Sequence, residues 1–286
     1  LIAFCLGNII RDEHVYLKHY APYEVVDIEE NPYKDYTDDE LRALFQIEIP
    51  RRHPTLSKPL TGDVPASYDF RTVSPDCVTK IGILNQLSCG SCWAFSGAVA
   101  LSYRYCLADK TVDFVPLSPQ HSVSCDKNNF ACQGGYLDKT WAFYESTGLC
   151  SLACEKYVSG DGKTVPECPA KCDDGSDIVL HKAKDSKAFS NANAIKEELV
   201  KNGPIQTGFI VYSDFMQYKK GIYKRTSYSR LGGHAVIIMG WGNENGTDYW
   251  IAQNSWGASW GEQGYFRIAF GQCGFDSNGY AGVPAQ

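Results

Sequence analysis

The sequence has no run of about 18 consecutive apolar residues, so it predicts no membrane-spanning helix. It has no excess of positive charge either. The net charge is −6, which gives no reason to expect nucleic acid or an anionic membrane as a partner. The chain shows no internal repeat and no low-complexity tract. What remains is a globular chain of 286 residues, long enough to bury a large core, and nothing in it demands more than a monomer.

Cysteine, by contrast, is abundant, with 12 residues. Many lie near glycine or proline in loop-like stretches, a pattern typical of disulfides formed in an oxidising compartment. Zinc is a poor explanation, because the chain has a single C-x-x-C pair and structural zinc sites need two such pairs or added histidines. The sequon Asn245-Gly-Thr247, in a polar turn, predicts glycosylation at Asn245. We therefore expect the secretory pathway, ending in a lysosome, a vacuole or the extracellular space, and neither metal nor cofactor.

The N-terminal part divides into two segments. Residues 1–10 begin with the apolar stretch Leu1 to Gly7, which we interpret as the remnant of a secretory signal peptide; a short apolar strand is the alternative. Residues 11–63 are acidic and contain one helix start, the capping box Thr37-Asp-Asp-Glu40. The basic, proline-rich stretch Arg51 to Pro59 follows. It is typical of an exposed linker, where proteolytic cleavage concentrates.

Residues 64–286 change character along their length. Up to about Gly148 the pattern is helical, most clearly from Cys92 to Cys106, and a cysteine-rich loop region follows. The remainder predicts strands: Ile205 to Val211, His234 to Trp241, Tyr249 to Asn254 and Gly264 to Ile268. Helices first and strands later predict an α+β protein with two lobes.

Five residues of this part carry a possible catalytic chemistry. Cys92 opens the predicted helix, where the helix N-terminus stabilises a thiolate. His234, between glycines and a strand, is the candidate base; for the other histidines we favour a structural role. Asn254 would accept a hydrogen bond from the ring and fix its tautomer, and Trp256 would shield that bond. Gln86 would donate to a developing oxyanion together with the backbone N–H of Cys92. The alternative for Asn254 and Trp256 is a loop asparagine beside a core tryptophan.

Several motifs resemble the papain family of cysteine proteases, and within it cathepsin B. They are Val64-Pro-Ala-Ser-Tyr-Asp-Phe-Arg71, Cys89-Gly-Ser-Cys-Trp-Ala-Phe95, Cys132-Gln-Gly-Gly135, Tyr212-Ser-Asp-Phe215, Gly232-Gly-His234 and Asn254-Ser-Trp-Gly257. The resemblance implies an α+β, two-lobed papain-like fold with a helical left lobe, a β-barrel-like right lobe and an N-terminal propeptide. It implies Cys92 as nucleophile, His234 as acid and base, Asn254 as the orienting residue and Gln86 in the oxyanion hole.

The resemblance also implies residues that hold the substrate and the frame. The substrate-binding positions are Gly134, Gly135, Gly233, Ala235, Trp256 and Asp276. The implied disulfides are Cys77–Cys106, Cys89–Cys132, Cys125–Cys168 and Cys154–Cys172, which leaves Cys150 and Cys273 either free or paired with each other. Residues 11–63 would lie across the cleft as an intramolecular inhibitor, and cleavage near Asp63 or Val64 would release the peptidase domain, residues 64–286, to act on peptides and proteins.

Three departures from the cathepsin B pattern bear on function. Leu87 follows Gln86 where the family usually has glycine, so the local backbone is expected to differ. The stretch from Cys150 to Cys172 is shorter than the occluding loop of cathepsin B and has no histidine to capture a substrate's C-terminal carboxylate. We therefore expect an endopeptidase. Asp276 stands in for a glutamate at the base of the S2 pocket and would favour a basic P2 residue; a surface turn is the alternative.

Two other classes of function stay open. A catalytically inactive binding protein on the same fold would be expected to lack the nucleophile, which is present here. A thiol–disulfide oxidoreductase would use the pair Cys89 and Cys92. Against it, a tryptophan follows the motif rather than preceding it, and Cys89 has a structural partner in Cys132.

Overall fold

The computed structural model describes residues 8–49, 64–108 and 116–285. Leu1 to Gly7 of the predicted signal remnant, residues 1–10, and the predicted linker, Arg51 to Pro59, lie outside the described residues. The end of that predicted remnant, Ile9 and Ile10, begins a helix instead, with Ile10 buried. The α-helices of the described part are α1 (Ile9–Tyr20), α2 (Asp38–Ala43), α3 (Phe70–Val73), α4 (Pro75–Ile81), α5 (Cys92–Ala108), α6 (Pro119–Cys125), α7 (Leu137–Ser146) and α8 (Ala192–Asn202). Short 3₁₀ turns occur at Ile28–Glu30, Ala131–Gln133, Ser159–Asp161, Ser213–Gln217 and Phe275–Ser277.

The strands of the described residues follow the same numbering along the chain. They are β1 (Glu24–Val25), β2 (Tyr68–Asp69), β3 (Ala183–Phe189), β4 (Ile205–Tyr212), β5 (Tyr218–Lys220), β6 (Ile222–Tyr223), β7 (Arg230–Glu244), β8 (Thr247–Gln253), β9 (Tyr265–Ala269) and β10 (Gly279–Pro284). The main sheet has the order β3-β10-β4-β7-β8-β9-β6, and β2 joins it on β7. Helices dominate the first half and strands the second, so the α+β, two-lobed prediction is confirmed.

Helix α5 is the centre of the helical lobe. Its first 13 residues, from Cys92 to Arg104, are all buried, as expected for a helix that is apolar around its whole circumference. Ser96 and Ser102 lie inside it with their hydroxyls satisfied, because each donates to the carbonyl four residues earlier, at 2.6 and 2.7 Å. This helix therefore fixes Cys92 at its first turn on a rigid support.

Arg104, near the end of α5, ties the two lobes together. Its guanidinium is fully buried and donates to Glu198 on α8 at 2.8 Å. It also donates to the carbonyls of Pro204, Gly203 and Gly282, at 2.8, 2.9 and 3.0 Å. A buried charge needs such complete pairing, since an unpaired one carries a large desolvation penalty. Arg104 thus adds a polar link between α5 and the strands to the apolar packing of the helix.

The leading segment, residues 8–49, is part of the same core. Ile10, Leu17 and Leu41 are at most 2% exposed and belong to the cluster that also contains Cys92 and Trp93. Strand β1 pairs antiparallel with β5 of the body. Helix α2 begins with the predicted capping box: Thr37 accepts from the Glu40 N–H, and the Glu40 carboxylate accepts from the Thr37 N–H at 2.8 Å. The segment is therefore a folded layer on the body.

Four disulfides cross-link the described residues. The structure joins Cys77 to Cys106, Cys89 to Cys132, Cys125 to Cys168 and Cys154 to Cys172. These are the four pairs that the resemblance implies. Cys150 and Cys273 are not bonded to each other; both are free thiols, as is Cys92.

In the described ranges, no helix combines the length and the apolar character that a membrane crossing requires.

Candidate active site

Cys92 lies at the first turn of α5 with its side chain fully buried. Burial raises the pKa of its thiol to about 12, while the backbone N–H groups of Ala235, Trp93 and Cys92 itself act in the opposite direction. Ala235 directly follows His234 on β7, so the sulfur lies beside the strand that carries the candidate base. In this covered state Cys92 is a neutral thiol and not a nucleophile.

His234 is held between β7 and the chain that follows β8. Its Nε2 lies 2.8 Å from Oδ1 of Asn254, and a carbonyl oxygen can only accept, so Nε2 carries the proton. Its Nδ1 is buried and has no hydrogen-bond partner among the described residues. Burial lowers the pKa of His234 to about 4, and the bond to Asn254 acts the other way. The ring is therefore neutral and presents an unprotonated Nδ1 as a base.

Asn254 and Trp256 fix the orientation of this ring. Asn254 Oδ1 also accepts the backbone N–H of Ser255 at 2.9 Å, which prevents the amide from turning. The Trp256 indole stacks on the imidazole, with ring centroids 4.9 Å apart and planes 25° apart. The sequence prediction that Trp256 shields the His234–Asn254 bond agrees with this position.

Gln86 is fully buried and locked at both ends of its amide. Nε2 donates to the carbonyl of Cys89 at 2.9 Å, and Oε1 accepts from the hydroxyl of Ser255 at 2.7 Å. The neighbouring Leu87 adopts φ +54°, in the left-handed region that favours glycine. Leu87 therefore adopts a backbone conformation that glycine, the family's usual residue here, takes more easily.

The cleft beside these groups is occupied by the stretch from Phe45 to Ile49. The Phe45 ring meets the His234 ring at 5.5 Å and the Trp256 ring at 5.8 Å, edge-on in both cases. Ile47 N–H donates to the carbonyl of Gly233 at 3.4 Å. A Cβ at Gly134 would overlap the carbonyl of Gln46, and a Cβ at Gly233 would overlap that of Ile47. Both walls of the cleft thus need glycine where a peptide backbone passes.

Residues 64–283 match the family model of the papain family cysteine proteases. The chain belongs to this family. It is 45% identical over 218 residues to the cathepsin B-like CP3 of Giardia intestinalis, covering 74% of this chain and 72% of that protein. To the cathepsin B-like CP1 of the same organism it is 40% identical over 263 residues, covering 87% and 86%. Among solved structures, procathepsin B S9 from Trypanosoma congolense is 30% identical, with a TM-score of 0.83 and 97% of each chain covered.

This cathepsin B-like cysteine protease therefore has its family's fold and its family's disulfide-rich frame. The Cys89–Cys132 bond argues against the oxidoreductase alternative, because it leaves Cys92 without the partner that a C-x-x-C redox site uses. Gly135 also lies in the cleft wall. A Cβ there would come within 2.8 Å of the Asn129 amide oxygen and 2.9 Å of the Trp93 ring, so only glycine fits.

The remaining predicted positions lie away from this centre. Asp276 is not among the lining residues of the pocket that its motif borders. Its carboxylate instead accepts the backbone N–H of Gly271 at 2.9 Å. The structure thus gives Asp276 the role of the turn residue that was the alternative, and Asn278, two residues later, lines the pocket. Asn245 is exposed in the turn between β7 and β8, as the sequon predicts.

The sequence reasoning missed Ser255 and Phe45. The signal for Ser255 was its place between two residues already singled out, Asn254 and Trp256. For Phe45, no local pattern distinguishes a ring that plugs a cleft from one that ends an amphipathic helix.

A second cluster of titratable groups lies in the helical lobe, where His121, Cys150 and Glu155 are all buried and close enough to share an ion. Nδ1 of His121 lies 2.7 Å from Glu155 Oε2, and the Cys150 thiol lies 3.7 Å from the same oxygen. Because the three groups satisfy one another by hydrogen bonds, the cluster is explained as a buried polar network.

Proposed function

We propose that this chain is a cysteine endopeptidase made as a zymogen, which hydrolyses peptide bonds with Cys92, His234, Asn254 and Gln86. The observation that carries the proposal is the state of His234. Its Nε2 is hydrogen-bonded to Asn254, and its buried Nδ1 has no partner among the described residues. The next residue, Ala235, contacts the Cys92 sulfur through its backbone N–H. A base oriented by one neighbour and free at its other nitrogen is the arrangement that activates a nucleophile.

The chemistry follows from these positions. With substrate in place of Phe45 to Ile49, His234 Nδ1 takes the thiol proton and the Cys92 sulfur attacks the scissile carbonyl. The negative charge on the carbonyl oxygen is stabilised by the Gln86 Nε2–H and the Cys92 backbone N–H. The tetrahedral intermediate collapses as His234 gives its proton to the leaving amine, which leaves a thioester on Cys92. Water then attacks the thioester, with His234 again as base, and releases the acid and the free thiol.

Residues 11–63 act as the propeptide, and residues 64–286 as the peptidase domain. Support comes from the cover that Phe45, Gln46 and Ile47 place over His234 and over the glycines of both cleft walls. Cleavage near Asp63 or Val64 would separate the two parts. The disulfides and the exposed Asn245 favour the secretory pathway, with a lysosome, a vacuole or the cell exterior as destination.

The loop beside the cleft favours internal cleavage, because it offers no carboxylate anchor. The loop between Cys154 and Cys172 packs against the residues around the site: the Tyr157 hydroxyl donates to the Gln86 carbonyl at 2.8 Å, and the Ser88 N–H to the Gly160 carbonyl at 3.0 Å. The loop has no histidine to anchor a substrate's C-terminal carboxylate. We therefore propose endopeptidase and not dipeptide-removing activity.

The test uses a peptide of about ten residues in two forms, one with a C-terminal amide and one with a free carboxylate. After acid activation, mass spectrometry locates the cuts, with Cys92→Ala as the inactive variant and Cys150→Ala as a matched control that removes another buried thiol. Internal cuts in both forms, absent in Cys92→Ala and retained in Cys150→Ala, support the proposal. Removal of dipeptides from the free-acid form alone would contradict endopeptidase activity, and no cleavage at all would favour the inactive binding protein.

A further inference from the structure

A cavity of about 540 Å³ opens beside the cleft, and its lining includes Cys273 and Gly274 of the motif that the resemblance assigns to the S2 pocket. Its walls come from the outer face of β4, the start of β7 and the turn from Gly271 to Asn278. In the covered enzyme Ile49 enters it, and the Cδ1 atoms of Ile47 and Ile49 both approach Gly208. A substrate side chain that replaces these isoleucines would therefore face the lining of this cavity.

Two exposed cations stand on that lining, Arg225 and Arg230. The Arg225 guanidinium lies between two tyrosine rings, 4.7 Å from the centroid of Tyr212 and 5.0 Å from that of Tyr228. Stacking of this kind holds the guanidinium in place without neutralising it. Within the described ranges neither arginine forms an ion pair. The pocket thus carries fixed positive charge.

Among the described residues, no carboxylate lines the cavity to balance these charges. Asp276 turns away to the Gly271 N–H. Asp214 acts electrostatically on Cys273, which lines the cavity. Its carboxylate is fully buried and accepts hydrogen bonds from the Tyr223 hydroxyl at 2.8 Å and the Thr226 N–H at 2.7 Å. It is committed to the interior of the lobe.

The base of the pocket is neutral. Asn278 is only 4% exposed, and its Nδ2 donates to the Gly274 carbonyl at 3.1 Å. Its Oδ1 is buried and has no partner among the described residues. A carboxylate at this depth would attract Lys or Arg, but an amide does not. The charge of the pocket is therefore decided by the two arginines at its rim.

We infer that this pocket selects substrates with an acidic residue, foremost glutamate, at P2, and disfavours lysine and arginine there. This inference rests on the proposed peptidase function and reverses the basic preference that Asp276 would have implied. Because both guanidiniums are exposed and screened by solvent, the discrimination is modest, about fivefold in kcat/KM for each charge.

The test compares four amidated peptides that differ only at P2, with Glu, Gln, Ile or Arg, at a pH near 6 where a glutamate side chain is ionised. We expect kcat/KM to fall in the order Glu, Gln, Arg. The ratio of Glu to Gln should shrink near pH 4, where about two-thirds of the P2 glutamate is protonated. A Gln substrate cleaved as fast as the Glu substrate would overturn the inference.

Variants identify the residues responsible. Arg230→Gln and Arg225→Gln should each lower the Glu-to-Gln ratio, and Asn278→Asp should raise cleavage of the Arg substrate. Lys156→Gln removes an exposed cation from the loop of the other lobe and should change neither. Unchanged ratios in both arginine variants would overturn the inference. The Ile substrate separates the two proposals: its cleavage without a Glu preference overturns this inference alone, whereas no cleavage of any peptide overturns the proposed function and this inference with it.

Discussion

The ring of Phe45 meets the imidazole of His234 edge-on, with 5.5 Å between centroids. One residue of the leading segment thus covers the candidate base and excludes water from the side that substrate must reach. The raised pKa of Cys92 and the lowered pKa of His234 both follow from this burial. Under the proposed zymogen function, latency would result from covering the site as well as blocking it.

Truncation of this ring should weaken latency. Replacing a buried phenylalanine with alanine typically costs about 3–5 kcal/mol, so Phe45→Ala should raise the fraction of full-length chains with an open cleft by about two to four orders of magnitude. The measurement is the initial rate at which an active-site-directed alkylating probe labels Cys92 before any processing. Tyr16→Ala is the matched control, since Tyr16 is 53% exposed on α1. Equal labelling rates in Phe45→Ala and the control would contradict the role of the ring.

Acid should open the cleft through His234. Its pKa is about 4 when covered and about 6.5 in water, so the uncovered state binds a proton that the covered state does not. The covered state is therefore fully favoured above pH 6.5 and loses stability as pH falls from about 6.5 to 4, by up to roughly two orders of magnitude in the binding constant. The measurement is the affinity of a peptide spanning residues 8–49 for the Cys92→Ala peptidase across this range.

Carboxylates of the leading segment provide a second, separable response to acid. A hydrogen bond from Lys34 lowers the pKa of Glu29, one from Arg11 lowers that of Asp35, and the Thr37 N–H lowers that of Glu40. These partners all lie within the leading segment, so protonation loosens its own structure at lower pH. Adding His234→Gln to the Cys92→Ala background should remove the change in peptide affinity between pH 6.5 and 4. The loss of affinity at lower pH, which the carboxylates cause, should remain. An unaltered pH profile in that variant would refute the role of His234.

Gln86 should act on the chemical step. Loss of one oxyanion donor typically reduces kcat by about 100- to 1000-fold, and Gln86→Ala should do so with little change in KM. Gln86→Glu keeps the shape but places a carboxylate beside the developing negative charge, so it should not restore activity. Ser255→Ala removes only the hydrogen-bond partner of Gln86 Oε1 and should reduce kcat less than Gln86→Ala does. A normal kcat in Gln86→Ala would exclude this role.

Alkylation of the denatured, unreduced chain should mark Cys92, Cys150 and Cys273, and leave the eight bonded cysteines of the described residues unmarked. The same reagent on the folded zymogen should leave Cys92 and Cys150 unmarked, since both are buried. Peptide mapping by mass spectrometry reads both experiments. A denatured chain in which Cys150 and Cys273 both resist alkylation would show that they form a fifth bond.

The sequence predicted the parts of the fold whose patterns are local. The helix from Cys92 and the strands around His234 and Asn254 carry strong periodicity, and the capping box at Thr37 identifies α2. Strand β3 was missed, because Lys184, Asp185 and Lys187 make it polar. Its place at the edge of the sheet explains this composition, since charged residues on an edge strand oppose pairing with other chains. Helix α1 was missed because its apolar residues do not form one buried stripe: Ile10 and Leu17 are buried, whereas Val15, Tyr16 and Tyr20 are exposed.

The residue types of the candidate site were predictable from the sequence, but the directions in which their side chains point were not. The motif Cys273-Gly-Phe-Asp276 places a carboxylate within a few residues of the pocket, yet a turn decides which side chain points inward. Here Cys273 adopts φ +55° and Gly274 φ +72°, and this pair of left-handed residues directs Asn278 into the pocket and Asp276 to the Gly271 N–H. Such a choice depends on backbone angles that residue order alone does not specify.

The packing of the leading segment also affects whether the peptidase could refold after the proposed cleavage. Ile10, Leu17 and Leu41 belong to the core that forms when the chain first folds, so the mature enzyme would be assembled around residues that it no longer possesses after cleavage. Without these residues, an unfolded peptidase would lack part of the core that formed when the full chain folded. Under the proposed cleavage, the lifetime of the active enzyme would be set by its unfolding rate and not by its ability to refold.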